Sequence, residues 1–174
     1  MLIGYEFIKA LHYTAMNHAL QKKVYMDEAT GLPNKNKCEE LLSAPKMITM
    51  PVGVCSFDLN NLRRINNSMG HEKGDAYIRI FAELVREAVP AHYFVGRAGG
   101  DEFIAIMDGA DKEEMQRCLQ LIRDRVDTYN AANPRFFRMS YAVGISVSDE
   151  NETAQCAICI ILASKKHVYQ QKTT

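Results

Sequence analysis

A net charge of either sign is missing from this chain, because 21 Lys and Arg residues balance 21 Asp and Glu residues. No global basic field is therefore available to draw in nucleic acid, and any phosphate must be met by local charge or metal. Long apolar runs are missing too. Between residues 1 and 26 the apolar stretches are broken by Glu6, Lys9, His12, Asn17, Gln21 and Lys22, so that segment is no transmembrane span. No secretory signal is recognisable, and an odd count of five cysteines points to free thiols in a reducing, cytoplasmic compartment. Cys156 and Cys159 have the spacing of a redox or metal pair, but no second pair completes a zinc site. They fall in an apolar helical run and read as buried thiols. Internal repeats, low-complexity tracts and charge blocks are absent as well. What is present suits one globular domain: 174 residues, 47% of them apolar, can bury a sizeable core.

The most informative run is Gly99-Gly100-Asp101-Glu102-Phe103. It lies between Phe94-Val95-Gly96-Arg97 and Phe103-Ile104-Ala105-Ile106-Met107, both strand-like. The four residues from Gly99 to Glu102 are thus expected to form a hairpin turn. Its glycines would supply positive φ angles and let another molecule approach the backbone. Two carboxylates at such a tip need solvent, a partner or a metal.

A second acid stands at another strand end. Pro51 to Phe57 reads as a short buried strand, followed by Asp58 and by Leu59, Leu62 and Ile65 at helical spacing. Asp58 at this switch could simply cap the helix. It could equally join a carboxylate from the hairpin in holding Mg²⁺, which takes one or two carboxylates together with waters and phosphate oxygens. The helix start after Asp58 suits a phosphate, and Arg63 lies close by in sequence. Together these features predict a nucleotide-metal site.

Four blocks carry a resemblance to a known family. Gly99-Gly100-Asp101-Glu102-Phe103 is identical to the signature of the GGDEF domains, the diguanylate cyclases that condense two GTP molecules into cyclic di-GMP. Asp27-Glu28-Ala29-Thr30-Gly31-Leu32-Pro33-Asn34-Lys35 is similar to the family's opening motif, with Ala29 in place of Leu and Lys35 in place of Arg. Phe57 to Asn67 resembles the metal and phosphate block, with Asn60 where Asp is common. Gly70-His71-Glu72-Lys73-Gly74-Asp75 matches the Gly-His-x-x-Gly-Asp block. The resemblance covers about residues 27 to 170.

It implies an α/β (α+β) fold: a palm-like, mostly antiparallel central sheet flanked by helices, as in nucleotidyl cyclases. Residues 1–26 would be an N-terminal signalling or linker helix, and 27–174 the GGDEF domain. Asp58, Asp101 and the Leu59 carbonyl would ligate Mg²⁺ or Mn²⁺, with two ions possible. Asp101 is also the implied base, and Glu102 adds acidity beside it. Asn66 and Asp75 match the guanine-reading pair, although alone they would read as a helix C-cap and a surface acid. Gly99 and Gly100 would admit the substrate. Arg63 and Lys165 would meet phosphates, Lys165 through a Ser164-Lys165 step resembling the family's Ala-Lys. The family's Gly-Arg-Asn after the last helix is missing, and Val168-Tyr169-Gln170 stands there. The Arg-x-x-Asp of the inhibitory product site is also missing, replaced by Pro90-Ala91-His92-Tyr93. The active form would be a homodimer, one GTP per subunit, governed by an upstream sensor outside this chain, with no nucleic-acid partner. Two alternatives stay open: a non-catalytic GGDEF domain acting as a GTP-binding or protein-interaction switch, and a mononucleotide cyclase of the same architecture.

The remaining sequence reads as scaffold. Ile8, Leu11, Ala15 and Ala19 repeat at helical spacing in the first segment. Asn36-Lys37-Cys38-Glu39 looks like a capping-box start to a short helix. A longer helix is expected from His71 towards Pro90, with Tyr77, Phe81, Leu84 and Ala88 on one face. Asp111 is expected to cap another, whose buried stripe is Met115, Cys118 or Leu119, Ile122, Val126 and Tyr129. Phe136 to Val147 reads as β structure with a break, and residues 154 to 168 as a final helix.

Overall fold

Strand β1 (Val52–Leu59) runs through the middle of an antiparallel sheet ordered β2-β3-β1-β4 in this computed structural model, which describes residues 2–43, 51–134 and 136–148. Its neighbours are β3 (Glu102–Asp108) on one side and β4 (Tyr141–Ser148) on the other, and β2 (Phe94–Arg97) pairs with β3. Five helices accompany these strands among the described residues: α1 (Leu2–Tyr25), α2 (Lys35–Ser43), α3 (Leu62–Met69), α4 (His71–Ala88) and α5 (Lys112–Ala132). The sheet with flanking helices is the α+β architecture expected from the sequence. The final-helix expectation at 154–168, which includes Cys156, Cys159 and Lys165, lies outside the described residues.

The strand period of two sorts side chains to the two faces of the sheet. Cys55, Phe57 and Leu59 of β1 and Phe103, Ala105 and Met107 of β3 are buried in one core with Tyr77, Phe81 and Val85 of α4 and Met115 and Ile122 of α5. Phe81 meets Phe103 edge-on, with ring centroids 5.2 Å apart, and Phe57 at 6.2 Å. On the opposite face Val54 and Ile104 are buried with Cys38 of α2. The central strand is therefore covered on both faces, which explains why it reads as a continuous apolar run.

Asp111 caps α5 as expected, its carboxylate accepting the Glu114 N–H at 2.7 Å. The stripe below it is buried at Met115, Cys118, Leu119, Ile122 and Val126. Two local expectations need correction. Helix α2 begins at Lys35 rather than at a box on Asn36, because Asn34 caps it: its side chain accepts the Lys37 N–H at 3.2 Å. Residues 136–140 are not strand, since their backbone groups bond elsewhere. The Asn130 carboxamide bonds both the Met139 N–H and its carbonyl, and the Ser140 carbonyl accepts the Asn60 N–H.

Large apolar side chains are exposed on helix α1, namely Leu11, Tyr13, Met16, Leu20 and Val24. Among the described residues no helix is long and apolar enough to cross a membrane. Cys38, Cys55 and Cys118 are free, buried thiols.

Candidate active site

Antiparallel pairing of β1 with β3 sets Asp58 directly opposite Glu102. Residues opposite one another share a face, with Cβ atoms about 4.5–5.5 Å apart. One residue further on, the Leu59 N–H donates to the Asp101 carbonyl at 2.9 Å, so the end of β1 is fastened to the acidic turn. Asp58, Asp101 and Glu102 are thus gathered at one end of the sheet. Among the described residues no set of three or more His, Cys, Asp or Glu side chains forms a metal-holding cluster. A pair of carboxylates with one backbone carbonyl still fits Mg²⁺, a hard ion that retains waters and takes phosphate oxygens.

The N-cap position after β1 falls to Asn61 and not to Asp58. Helix α3 starts at Leu62, and its N-cap is Asn61, in the left-handed region at φ 68° with no side-chain capping bond. The strand continues through Leu59, leaving Asp58 exposed in the last turn of the ladder rather than at a helix end. Arg63 sits exposed in the first turn of α3.

The acidic turn differs from its expected form in two respects. It comprises Ala98 to Asp101, with Glu102 already in β3, because the N–H groups of Ala98 and Gly99 both donate to the Glu102 carbonyl. Neither Gly99 nor Gly100 has a positive φ; the positive-φ glycines among the described residues are Gly31, Gly70 and Gly109. Room is at issue only at Gly99. A Cβ on Gly99 would come within 2.9 Å of the Glu102 carboxylate, and one on Gly100 would project into open space.

An arginine that sequence reading did not single out holds this turn. Arg97 donates from Nε to the Gly99 carbonyl at 3.0 Å and from Nη2 to the Gly100 carbonyl at 2.8 Å. Its Nη1 meets both carboxylate oxygens of Asp27 at 3.0 Å. The guanidinium fork therefore clamps the turn to the opening motif in a way a point charge could not. Asp27 also accepts from the Thr30 N–H and hydroxyl. Burial pushes the Asp27 carboxyl upward, yet the Thr30 and Arg97 hydrogen bonds outweigh it and leave the pKa below the ordinary carboxylate value. A depressed folded pKa stabilises the fold above the unfolded value, and that contribution disappears as pH falls through the folded one. The protection of the Thr30 amide, its exchange rate measured against the intrinsic rate at each pH, should fall as the pH drops below about 4, and Asp27→Asn should flatten this dependence. A Thr30 profile unchanged by the substitution would count against the assignment.

Asn66 and Gly74, the residue before Asp75, come together around a pivot. Gly70, at φ 87°, ends α3 and begins α4, and its N–H donates to the Asn66 carbonyl at 3.0 Å. Asn66 is accordingly inside α3 and is not its C-cap. Its side-chain oxygen is buried with no hydrogen-bond partner among the described residues. Such an atom costs about 1–3 kcal/mol unless a donor reaches it. Gly74 leaves the space for it, since a Cβ there would lie 1.8 Å from that oxygen. Asp75 is exposed on α4 beside this point.

A sheet whose strand ends gather acids next to a helix start is the arrangement of a palm-like nucleotide-processing domain. The chain belongs to the GGDEF family: residues 24–174 match the family model described as "Diguanylate cyclase, GGDEF domain". It is 31% identical over 103 residues to a diguanylate cyclase of Vibrio cholerae, covering 57% of this chain and 32% of that protein. It is 28% identical over 148 residues to the cyclic di-GMP phosphodiesterase NbdA of Pseudomonas aeruginosa, covering 81% of this chain and 19% of that one. The fold resembles the crystal structure of the coiled coil and GGDEF domain of DgcB from Caulobacter crescentus in complex with c-di-GMP. There the TM-score is 0.74 at 14% identity, over 95% of this chain and 94% of the other. This chain thus spans a third or less of the length of those two curated relatives. Family and relatives together connect it to cyclic di-GMP signalling.

Proposed function

We propose that this chain is the catalytic domain of a diguanylate cyclase, joining two GTP molecules into cyclic di-GMP with release of pyrophosphate. The observation that carries this reading is the bond from the Leu59 N–H to the Asp101 carbonyl, which unites the Asp58 strand end with the signature turn. Asp58, Asp101 and the Leu59 carbonyl would hold Mg²⁺ or Mn²⁺, singly or as a pair of ions. Bound there, the metal would neutralise charge on the triphosphate and acidify the attacking 3′-hydroxyl. Asp101, aided by Glu102, would accept the proton from that hydroxyl, and Arg63 and Lys165 would bind phosphate oxygens. Guanine offers N1–H and 2-amino donors to Asp75 and to the unpaired Asn66 oxygen. Adenine has neither group, which makes the pocket selective.

The helix of residues 1–26 would connect the domain of residues 27–174 to a sensor in a longer, cytoplasmically exposed protein, and two domains would meet as a homodimer. Exposed Tyr13, Met16, Leu20 and Val24 on α1 support a role beyond its own domain. One feature favours a second reading as a GTP-binding switch: the missing family arginine at Val168-Tyr169-Gln170. Pyrophosphate release decides between them. A cyclase releases it from GTP and not from ATP, at a rate rising more steeply than linearly with protein concentration. GTP binding without release supports the switch.

Gly74→Ala tests the base pocket. Overpacking of this kind costs about 1–3 kcal/mol, and the displaced Asn66 carboxamide should weaken guanosine binding about tenfold. Unchanged calorimetric affinity would remove Asn66 from the pocket.

A further inference from the structure

We infer that Tyr77 is a positioning residue for the phosphate end of the site, its hydroxyl holding the β1–α3 turn against the start of β4. The inference rests on the proposed nucleotide reading of that turn. Tyr77 lies on α4 two residues after Asp75, and its side chain is fully buried among the core apolar residues. A phenylalanine would fill the same space without the cost of burying a hydroxyl, which is tolerated only when it is hydrogen-bonded. Here the hydroxyl donates to the Asn60 carbonyl at 3.3 Å and accepts the Ser140 N–H at 3.3 Å. Burial pushes the phenol up to about 12, so it remains a donor at neutral pH.

Those two bonds complete a set. The Asn60 N–H donates to the Ser140 carbonyl at 2.9 Å, and the Leu59 N–H donates to Asp101. The next residue, Asn61, occupies the left-handed region at φ 68° with no side-chain capping bond. Asparagine is one of the few non-glycine residues that adopt this region readily, and its carboxamide donates to the Ser140 hydroxyl at 3.5 Å. Residues 59 and 60 are thus tied on one side to the signature turn and on the other, directly and through Tyr77, to residue 140. One stretch of α4 supplies Gly74 behind Asn66, Asp75 at the base-reading edge and Tyr77 beneath the metal turn. Removal of the hydroxyl should therefore loosen the phosphate end and leave the base-reading end in place.

Tyr77→Phe tests this in the full chain, with guanosine and GTP as probes in Mg²⁺. The expected result is guanosine affinity within about twofold of wild type and GTP affinity weaker by about tenfold, the loss of roughly one hydrogen bond. Hydrogen exchange without nucleotide should accelerate at the Leu59 and Asn60 amides and remain unchanged at Phe103 and Ala105. Equal weakening for guanosine and GTP, or unchanged exchange at Leu59 and Asn60, would reduce Tyr77 to a packing residue and overturn the inference. Wild-type protein that binds no GTP in Mg²⁺ would refute the underlying functional reading. The exchange pattern would then decide the tether alone.

Discussion

Asp101→Ala should lower cyclic di-GMP formation by at least about a hundredfold, the scale of losing one preorganised charge-stabilising group, with little change in melting temperature. The two halves of this expectation have separate causes. Structurally, Asp101 contributes its backbone carbonyl, which accepts the Leu59 N–H at 2.9 Å. Alanine keeps that carbonyl, so the junction between β1 and the turn survives. Chemically, on the proposed reading, the substitution would remove one of the two carboxylates that would hold a divalent ion, and Asp58 alone would be a poor site. Asp58→Asn should cause a loss of similar size. Nucleotide products separated by chromatography, with thermal melts alongside, check both halves. A variant that loses activity only because it unfolds would show a lowered melting temperature and discredit the assignment.

Arg97→Ala should act by a different route. The side chain makes four hydrogen bonds, two to the glycine carbonyls of the turn and two to Asp27. The side chains of Arg97 and Asp27 are 15% and 22% exposed, so solvent screens the pair only partly. Discounted for that screening, the stability loss should be about 1–3 kcal/mol. The effect on turnover should be larger. Freed from the fork, the turn can shift by an ångström, and misplacement on that scale costs about a hundredfold in rate. Arg97→Lys should recover part of the ion pair with Asp27 but not the two carbonyl bonds, so stability should return further than activity. Denaturant melts and initial rates on both variants separate these contributions. Full activity in Arg97→Lys would show that the charge, not the fork, is what the turn needs.

Much of the scaffold was legible because it rests on periodicity and capping. The apolar runs of β1 and β3, the stripe of α5 and the Asp111 cap follow from local rules that the tertiary structure does not override. The acidic residues were legible for another reason: a family signature fixes spacing along the chain, and strand pairing then converts spacing into proximity. What escaped notice depends on long-range backbone bonds. Arg97 acts on carbonyls two and three residues ahead and on a carboxylate seventy positions back, and no side-chain pattern encodes carbonyl direction. An arginine closing a strand just before paired glycines was the available signal. Tyr77 was read as a core aromatic, which it is, but its hydroxyl reaches partners in two other loops. The glycines of the signature were assigned to positive φ because tight hairpins usually demand it. The turn is four residues long as expected but lies one position earlier, at Ala98 to Asp101; neither glycine takes a positive φ, and only Gly99 stands where a Cβ would meet the Glu102 side chain.

The direct test of the central claim is separation of the nucleotide products after incubating the dimerised chain with GTP and Mg²⁺, beside the same reaction with Asp101→Ala. Cyclic di-GMP and pyrophosphate are expected from the wild type, at least about a hundredfold less from the variant, and none from either when the metal is chelated. Intact GTP bound to wild-type dimer, or cyclic di-GMP produced equally by the variant, would contradict that claim.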